Sequence, residues 1–63
     1  MTEYPLAAQI AAVKREIALR ERAYPRWVAS AKMKPEKAAF EIGVMKAVLA
    51  TLAARHQEPL PQD

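Results

Sequence analysis

Apolar residues recur at helical spacing along most of this 63-residue chain, and the recurrence fails only once, around Lys32–Lys34. Steps of three, four or seven residues place side chains on one face of an α-helix. The first apolar stripe comprises Leu6, Ile10, Val13, Ile17, Tyr24, Val28 and Ala31. The second comprises Ala38, Ile42, Met45, Leu49, Leu52 and His56, with the alternating spacing of a heptad seam. This pattern predicts two helices joined by a tight turn, which is an antiparallel helical hairpin.

Prolines mark the boundaries of the predicted helices. Pro5 suits the first turn of helix one, and Pro35 followed by Glu36 suits the first turn of helix two. Pro25 lies inside the first stripe, where its ring crowds the preceding turn. Because the stripe stays in phase across Pro25, we predict one kinked helix rather than two. We expect helix one over about residues 5–31, the turn over 32–34 and helix two over 35–55, with residues 1–56 as a single domain and 57–63 as a flexible tail.

The apolar surface of each helix is wider than one partner helix can cover. Phe40, Val44 and Val48 widen the second stripe to one flank, and Leu19 lies off the first stripe. A chain this short has a small core, and without cysteine it has no disulfide to supplement that core. We therefore predict an all-α homodimer in which two hairpins form a four-helix bundle. The predicted oligomer interface comprises Phe40, Glu41, Val44, Met45, Val48 and Leu52.

Two carboxylates fall on or beside the apolar surfaces. A helical wheel places Glu21 on the apolar side of helix one and Glu41 inside the apolar arc of helix two. A buried carboxylate is costly unless it is paired, so Arg20 and Lys14 are the expected partners. Such pairs would set the register of an interface, or the acids would bind a basic partner; the sequence leaves both interpretations open.

The sequence offers no arrangement of residues that is typical of catalysis. His56 is the only histidine, there is no cysteine, and no hydroxyl side chain stands beside a base. No glycine-rich loop is present to hold a phosphate. We predict a protein that is not an enzyme, with no catalytic residue, no metal and no cofactor, and with His56 at the end of the seam. No apolar run reaches membrane length and no signal peptide is evident, so we expect a cytoplasmic protein that does not contact membranes.

Aromatic and basic side chains are concentrated near the predicted turn. One interpretation makes Trp27, Arg26 and Leu19 the residues that bind a partner protein, because Trp and Arg dominate protein–protein hot spots. A second makes this tip bind an anionic nucleotide or nucleic acid, and a third packs the aromatic rings into the bend at the proline. The candidates for anion binding are Tyr24, Arg26, Trp27, Lys32, Lys34 and Lys37. The basic residues of helix one alternate with Glu16 and Glu21, which argues against a DNA-recognition helix.

The residues around the turn also form a distinctive pattern. Tyr-Pro-x-x-Val is followed by a Lys-Met turn and then by Glu-Ile-x-x-Met, at Tyr24, Pro25, Val28, Lys32, Met33, Glu41, Ile42 and Met45. In this pattern the chain resembles a group of short proteins encoded by bacteriophages and prophages, although Ala31 stands where a glycine is expected. The resemblance implies an accessory protein that binds and inhibits a host or defence protein in the cytoplasm of an infected or lysogenic bacterium. Sequestering a nucleotide signal, or a structural role in a virion or replication complex, is the alternative.

Overall fold

The computed structural model describes residues 3–57, which form two α-helices packed against each other as a hairpin. Helix α1 comprises Leu6–Ala29 and helix α2 comprises Pro35–His56. The prediction of an all-α helical hairpin is confirmed. The first helix ends two residues earlier than the sequence suggested, and the second extends one residue further. Apart from Gln57, the predicted tail lies outside the described residues.

Helix α1 continues through Pro25 as a single element. Pro25 has no N–H to donate to the carbonyl of Glu21, so one helical hydrogen bond is missing there. Tyr24 and Val28, on either side of it, are both half-buried. Because the apolar stripe packs against α2 on both sides of the proline, that packing offsets the missing bond.

The end of α1 is a left-handed turn built on the carbonyl of Trp27. The N–H of Lys32 donates to this oxygen at 2.8 Å and the N–H of Met33 at 3.2 Å, while the N–H of Ala31 donates to the Val28 carbonyl at 3.0 Å. Ala31 has a φ of 62°. These bonds form a Schellman motif, in which the left-handed position is usually glycine. Ala31 therefore belongs to the turn, and its assignment to the apolar stripe was wrong because the helix ends before it.

The core between the two helices is small. Among the described residues only Ile17 and Ala38 are buried, with 7% and 8% of their surface exposed. The remaining interhelical side chains are half-buried, because each helix covers only one side of the other. They include Leu6, Ile10, Val13, Tyr24, Val28, Met33, Ile42, Met45, Leu49 and Leu52. His56, expected at the end of the seam, lies in the last turn of α2 and is exposed.

Candidate functional site

Helix α2 carries an exposed apolar row made of Phe40, Val44 and Val48. Their exposed fractions are 65%, 41% and 38%. A spacing of four residues places neighbouring side chains one above the other on a helix, so the three form a continuous surface. We call this surface the α2 apolar row. The other residues of the predicted oligomer interface, Glu41, Met45 and Leu52, are half-buried.

An ion-pair network joins the two helices on one flank of the hairpin. Arg20 Nε donates to Glu16 Oε2 at 2.8 Å, and Arg20 Nη1 donates to the backbone carbonyl of Glu41 at 2.9 Å. The same Nη1 lies 3.5 Å from Glu41 Oε1, and Lys37 Nζ lies 3.3 Å from Glu41 Oε2. The hydrogen bond to Glu16 raises the pKa of the Arg20 guanidinium above its ordinary value, so Arg20 stays charged. The network contains two acids and two bases and has no net charge.

Glu21 is paired on the opposite flank. Its Oε2 lies 2.9 Å from Lys46 Nζ, and about half of each side chain is exposed. Glu21 is exposed and lies at the edge of the interhelical surface. Of the two expected partners, Arg20 pairs with Glu41, and Glu21 pairs with Lys46, a residue not predicted as a partner. Both carboxylates thus have partners within the hairpin, which favours a role in its register over binding a basic ligand.

The aromatic side chains at the tip contact each other. The ring centroids of Tyr24 and Trp27 are 5.3 Å apart with the planes tilted by 31°. The guanidinium carbon of Arg20 lies 5.9 Å from the centroid of the Tyr24 ring, at cation–π distance. Tyr24 is half-buried, whereas Trp27 is 43% exposed. The exposed Trp27 ring is therefore more accessible to a ligand than the Tyr24 ring.

The three residues predicted to bind a partner protein lie on one side of α1. Leu19 precedes Arg26 by seven residues and Trp27 by eight, which keeps the three within an arc of about 100°. Leu19 is 56% exposed, and Arg26 is also exposed. We call these three the α1 anchor residues. The tip lysines Lys32 and Lys34 are likewise exposed.

Three arginines on the face of α1 opposite the apolar stripe form a surface that the sequence analysis did not identify as a site. Arg15, Arg22 and Arg26 are exposed and lie about 140–180° around α1 from the buried Ile17, at 100° per residue. We call them the arginine row. The alternation with glutamates along the chain hid this row, because adjacent residues of a helix point in different directions. A helical wheel drawn only for the basic residues that have no carboxylate three or four residues away would have pointed to the arginine row.

Within the described part of the chain, neither helix has the length and apolarity that a membrane span requires. Comparison with protein-family models, with curated proteins and with solved structures finds no match to this chain. Its function is therefore argued from the surfaces of the hairpin.

Proposed function

We propose that this protein is a non-enzymatic binding module that forms a homodimer and binds another protein, which it inhibits. The observation that supports this proposal is the α2 apolar row, which is exposed beside a core that has only two buried side chains among residues 3–57. Contiguous apolar surfaces on small soluble proteins typically mark contacts with other proteins. A second hairpin that packs its own row against this one forms a four-helix bundle and covers both rows.

Charge favours the α2 side as the surface for self-association. Lys37 and Glu41 lie three or four residues from members of the α2 apolar row, so the neutral ion-pair network borders it. Two copies that meet there bring no excess charge together. The outer face of α1 carries only arginines among its charged residues, so two copies that met through that face would repel each other.

The α1 anchor residues supply the surface for the inhibited protein. Trp27 is 43% exposed and Leu19 is 56% exposed, and the exposed Arg26 adds a guanidinium group beside them. Trp and Arg are the residue types that most often dominate binding energy at interfaces. The resemblance of the sequence pattern to bacteriophage and prophage proteins leads us to propose a host or defence protein as the class of partner.

An anionic nucleotide or nucleic acid bound at the tip is the alternative proposal, and it has less support. Trp27 could stack on a base, with Lys32 and Lys34 on its phosphates. Tyr24, however, packs against Trp27 and Arg20, and Lys37 pairs with Glu41. Three of the six residues expected in such a site, Tyr24, Trp27 and Lys37, thus have partners within the hairpin.

Sedimentation velocity on Phe40→Glu and Leu19→Glu tests the dimer. Both substitutions place the same charge on an exposed helical position, one in the α2 apolar row and one on α1. The wild type and Leu19→Glu should sediment as dimers at micromolar concentration, and Phe40→Glu should be monomeric. A folded wild-type monomer, or equal dissociation of both variants, would contradict the proposal.

Affinity capture from a bacterial host lysate tests the partner surface. Trp27→Ala and Leu19→Glu should lose the captured protein while both retain the dimer mass and the helical circular dichroism of the wild type. If Trp27→Ala loses its helicity, Trp27 is a structural residue and the anchor assignment fails. An unchanged set of captured proteins would exclude the anchor residues as the binding surface.

A further inference from the structure

The outer face of α1 presents a row of positive charge. Arg15, Arg22 and Arg26 are seven and four residues apart, and the row spans about 16 Å at a rise of 1.5 Å per residue. We propose that this arginine row binds the phosphodiester backbone of double-stranded nucleic acid without reading its sequence. The inference goes beyond the proposed function, since it concerns a different ligand and a different helix face from the α2 apolar row.

Ion pairing inside the hairpin leaves this face with one sign of charge. Glu16 pairs with Arg20, and Glu41 pairs with Arg20 and Lys37. Glu21 pairs with Lys46 across the hairpin. Over residues 3–57 no carboxylate forms an ion pair with a member of the arginine row. The guanidinium donors of the row are therefore available to an external anion.

The spacing of the row suits a phosphate backbone better than an acidic protein surface. Each strand of duplex DNA carries a phosphate about every 3.4 Å along the axis, so a row of this length faces several phosphates in any register. An acidic protein would need three carboxylates matched to the unequal steps of the row. Arginine also donates two parallel hydrogen bonds to a phosphate, which lysine cannot do. Leu19 and Trp27, the large exposed apolar side chains of α1, lie to one side of the row and belong to the α1 anchor residues, so the row itself offers only charge.

A salt titration of DNA binding tests the inference directly. A short fluorescent DNA duplex of arbitrary sequence is titrated with the protein, and anisotropy gives the binding constant at several NaCl concentrations. Neutralising three phosphates predicts a slope of about −2.7 for the logarithm of the binding constant against the logarithm of salt concentration. The variant Arg15→Gln/Arg22→Gln/Arg26→Gln should bind about tenfold or more weakly at low salt and lose most of this slope. Glutamine has a helix propensity close to that of arginine, so α1 should remain helical in this variant. Circular dichroism verifies this.

The matched control removes the same charge elsewhere on the hairpin. Lys14→Gln/Lys32→Gln/Lys34→Gln should retain most of the wild-type affinity and slope. A loss equal to that of the arginine variant would overturn the proposal, because it would show attraction by net charge or a site at the tip. Absence of salt-dependent binding by the wild type would overturn it as well. If poly-L-glutamate binds to the arginine row as tightly as the duplex does, the row is a binding site for acidic proteins instead.

The DNA and dimer experiments fail independently of each other. Phe40→Glu changes only the α2 apolar row and should retain DNA binding by each hairpin, although a monomer binds with one row instead of two. Arg26 also belongs to the α1 anchor residues, so the double variant Arg15→Gln/Arg22→Gln, which leaves Arg26 in place, separates DNA binding from capture of a partner protein. A dimer that does not bind DNA overturns this inference and leaves the proposed function standing.

Discussion

Ala31 carries the only positive φ of a non-glycine residue in residues 3–57, at 62°. Its methyl group is unfavourable in the left-handed region, at a cost of roughly 1–2 kcal/mol. The conformation persists because it lets the N–H groups of Ala31 and Lys32 reach the last carbonyls of α1. The Tyr-Pro-x-x-Val and Lys-Met pattern identified residue 31 as a position where glycine is expected. It did not show that alanine would adopt the conformation of that glycine.

Replacing Ala31 by glycine should stabilise the protein. Glycine removes the steric cost of the left-handed turn but gives the unfolded chain more freedom, so the net gain is about 0.5–1 kcal/mol in the free energy of unfolding. Urea unfolding followed by far-UV circular dichroism measures this change. The control is Ala39→Gly at an exposed position inside α2, which should lower the free energy of unfolding by about 1 kcal/mol. Equal destabilisation by the two substitutions would contradict the left-handed conformation of Ala31.

At the scale of the helices, periodicity predicted the elements and packing decided their contacts. The start of α2 at Pro35 and the continuity of α1 through Pro25 both followed from the sequence. A helical wheel drawn for one helix cannot show which residue of the other helix lies opposite. The pairing of Glu21 with Lys46 depends on the register of α1 against α2, and the sequence could not supply that register.

The same limit applied to the arginine row. Along the sequence, Glu16 stands next to Arg15 and Glu21 next to Arg22, so the charges appeared to cancel. In the hairpin each glutamate pairs with a cation that is not its neighbour, as Glu16 does with Arg20. The ion pairs therefore show that Glu16 and Glu21 do not neutralise the arginine row.

Arg20 should be the charged residue that matters most for joining the two helices. It contacts the carboxylate of Glu16 and both the carbonyl and the carboxylate of Glu41. Lys46 makes one exposed ion pair, and exposed pairs contribute only about 0–1 kcal/mol. Arg20→Met should therefore lower the thermal unfolding midpoint more than Lys46→Met does, at equal protein concentration. Thermal scans by circular dichroism compare the two variants, and a drop in midpoint that is the same for both would show that the Arg20 contacts do not stabilise the hairpin.

At the scale of the whole molecule, the hairpin divides its surface between neutral and charged sides. The α2 apolar row borders a network without net charge, while the outer face of α1 carries the arginine row. A dimer formed through α2 keeps both arginine rows directed outward. Self-association and binding of a polyanion are then compatible, because they use different helices. Arg26 belongs to the arginine row and to the α1 anchor residues, so a partner protein and a nucleic acid should compete there.

Coupling between folding and association gives the last prediction. If a second hairpin adds stability to the small core, the dimer dissociates as it unfolds, and higher protein concentration favours the folded dimer. A tenfold rise in concentration adds about 1.4 kcal/mol per dimer, which corresponds to an increase of roughly 5 °C in the thermal midpoint for a dimer of this size. Calorimetry or circular dichroism over a hundredfold concentration range measures the slope.

Phe40→Glu should unfold at a lower midpoint that does not change with concentration, because it removes the largest member of the α2 apolar row. Leu19→Glu should keep the wild-type slope. A wild-type midpoint independent of concentration would mean that one hairpin is stable alone, and the α2 apolar row would then have no role in folding.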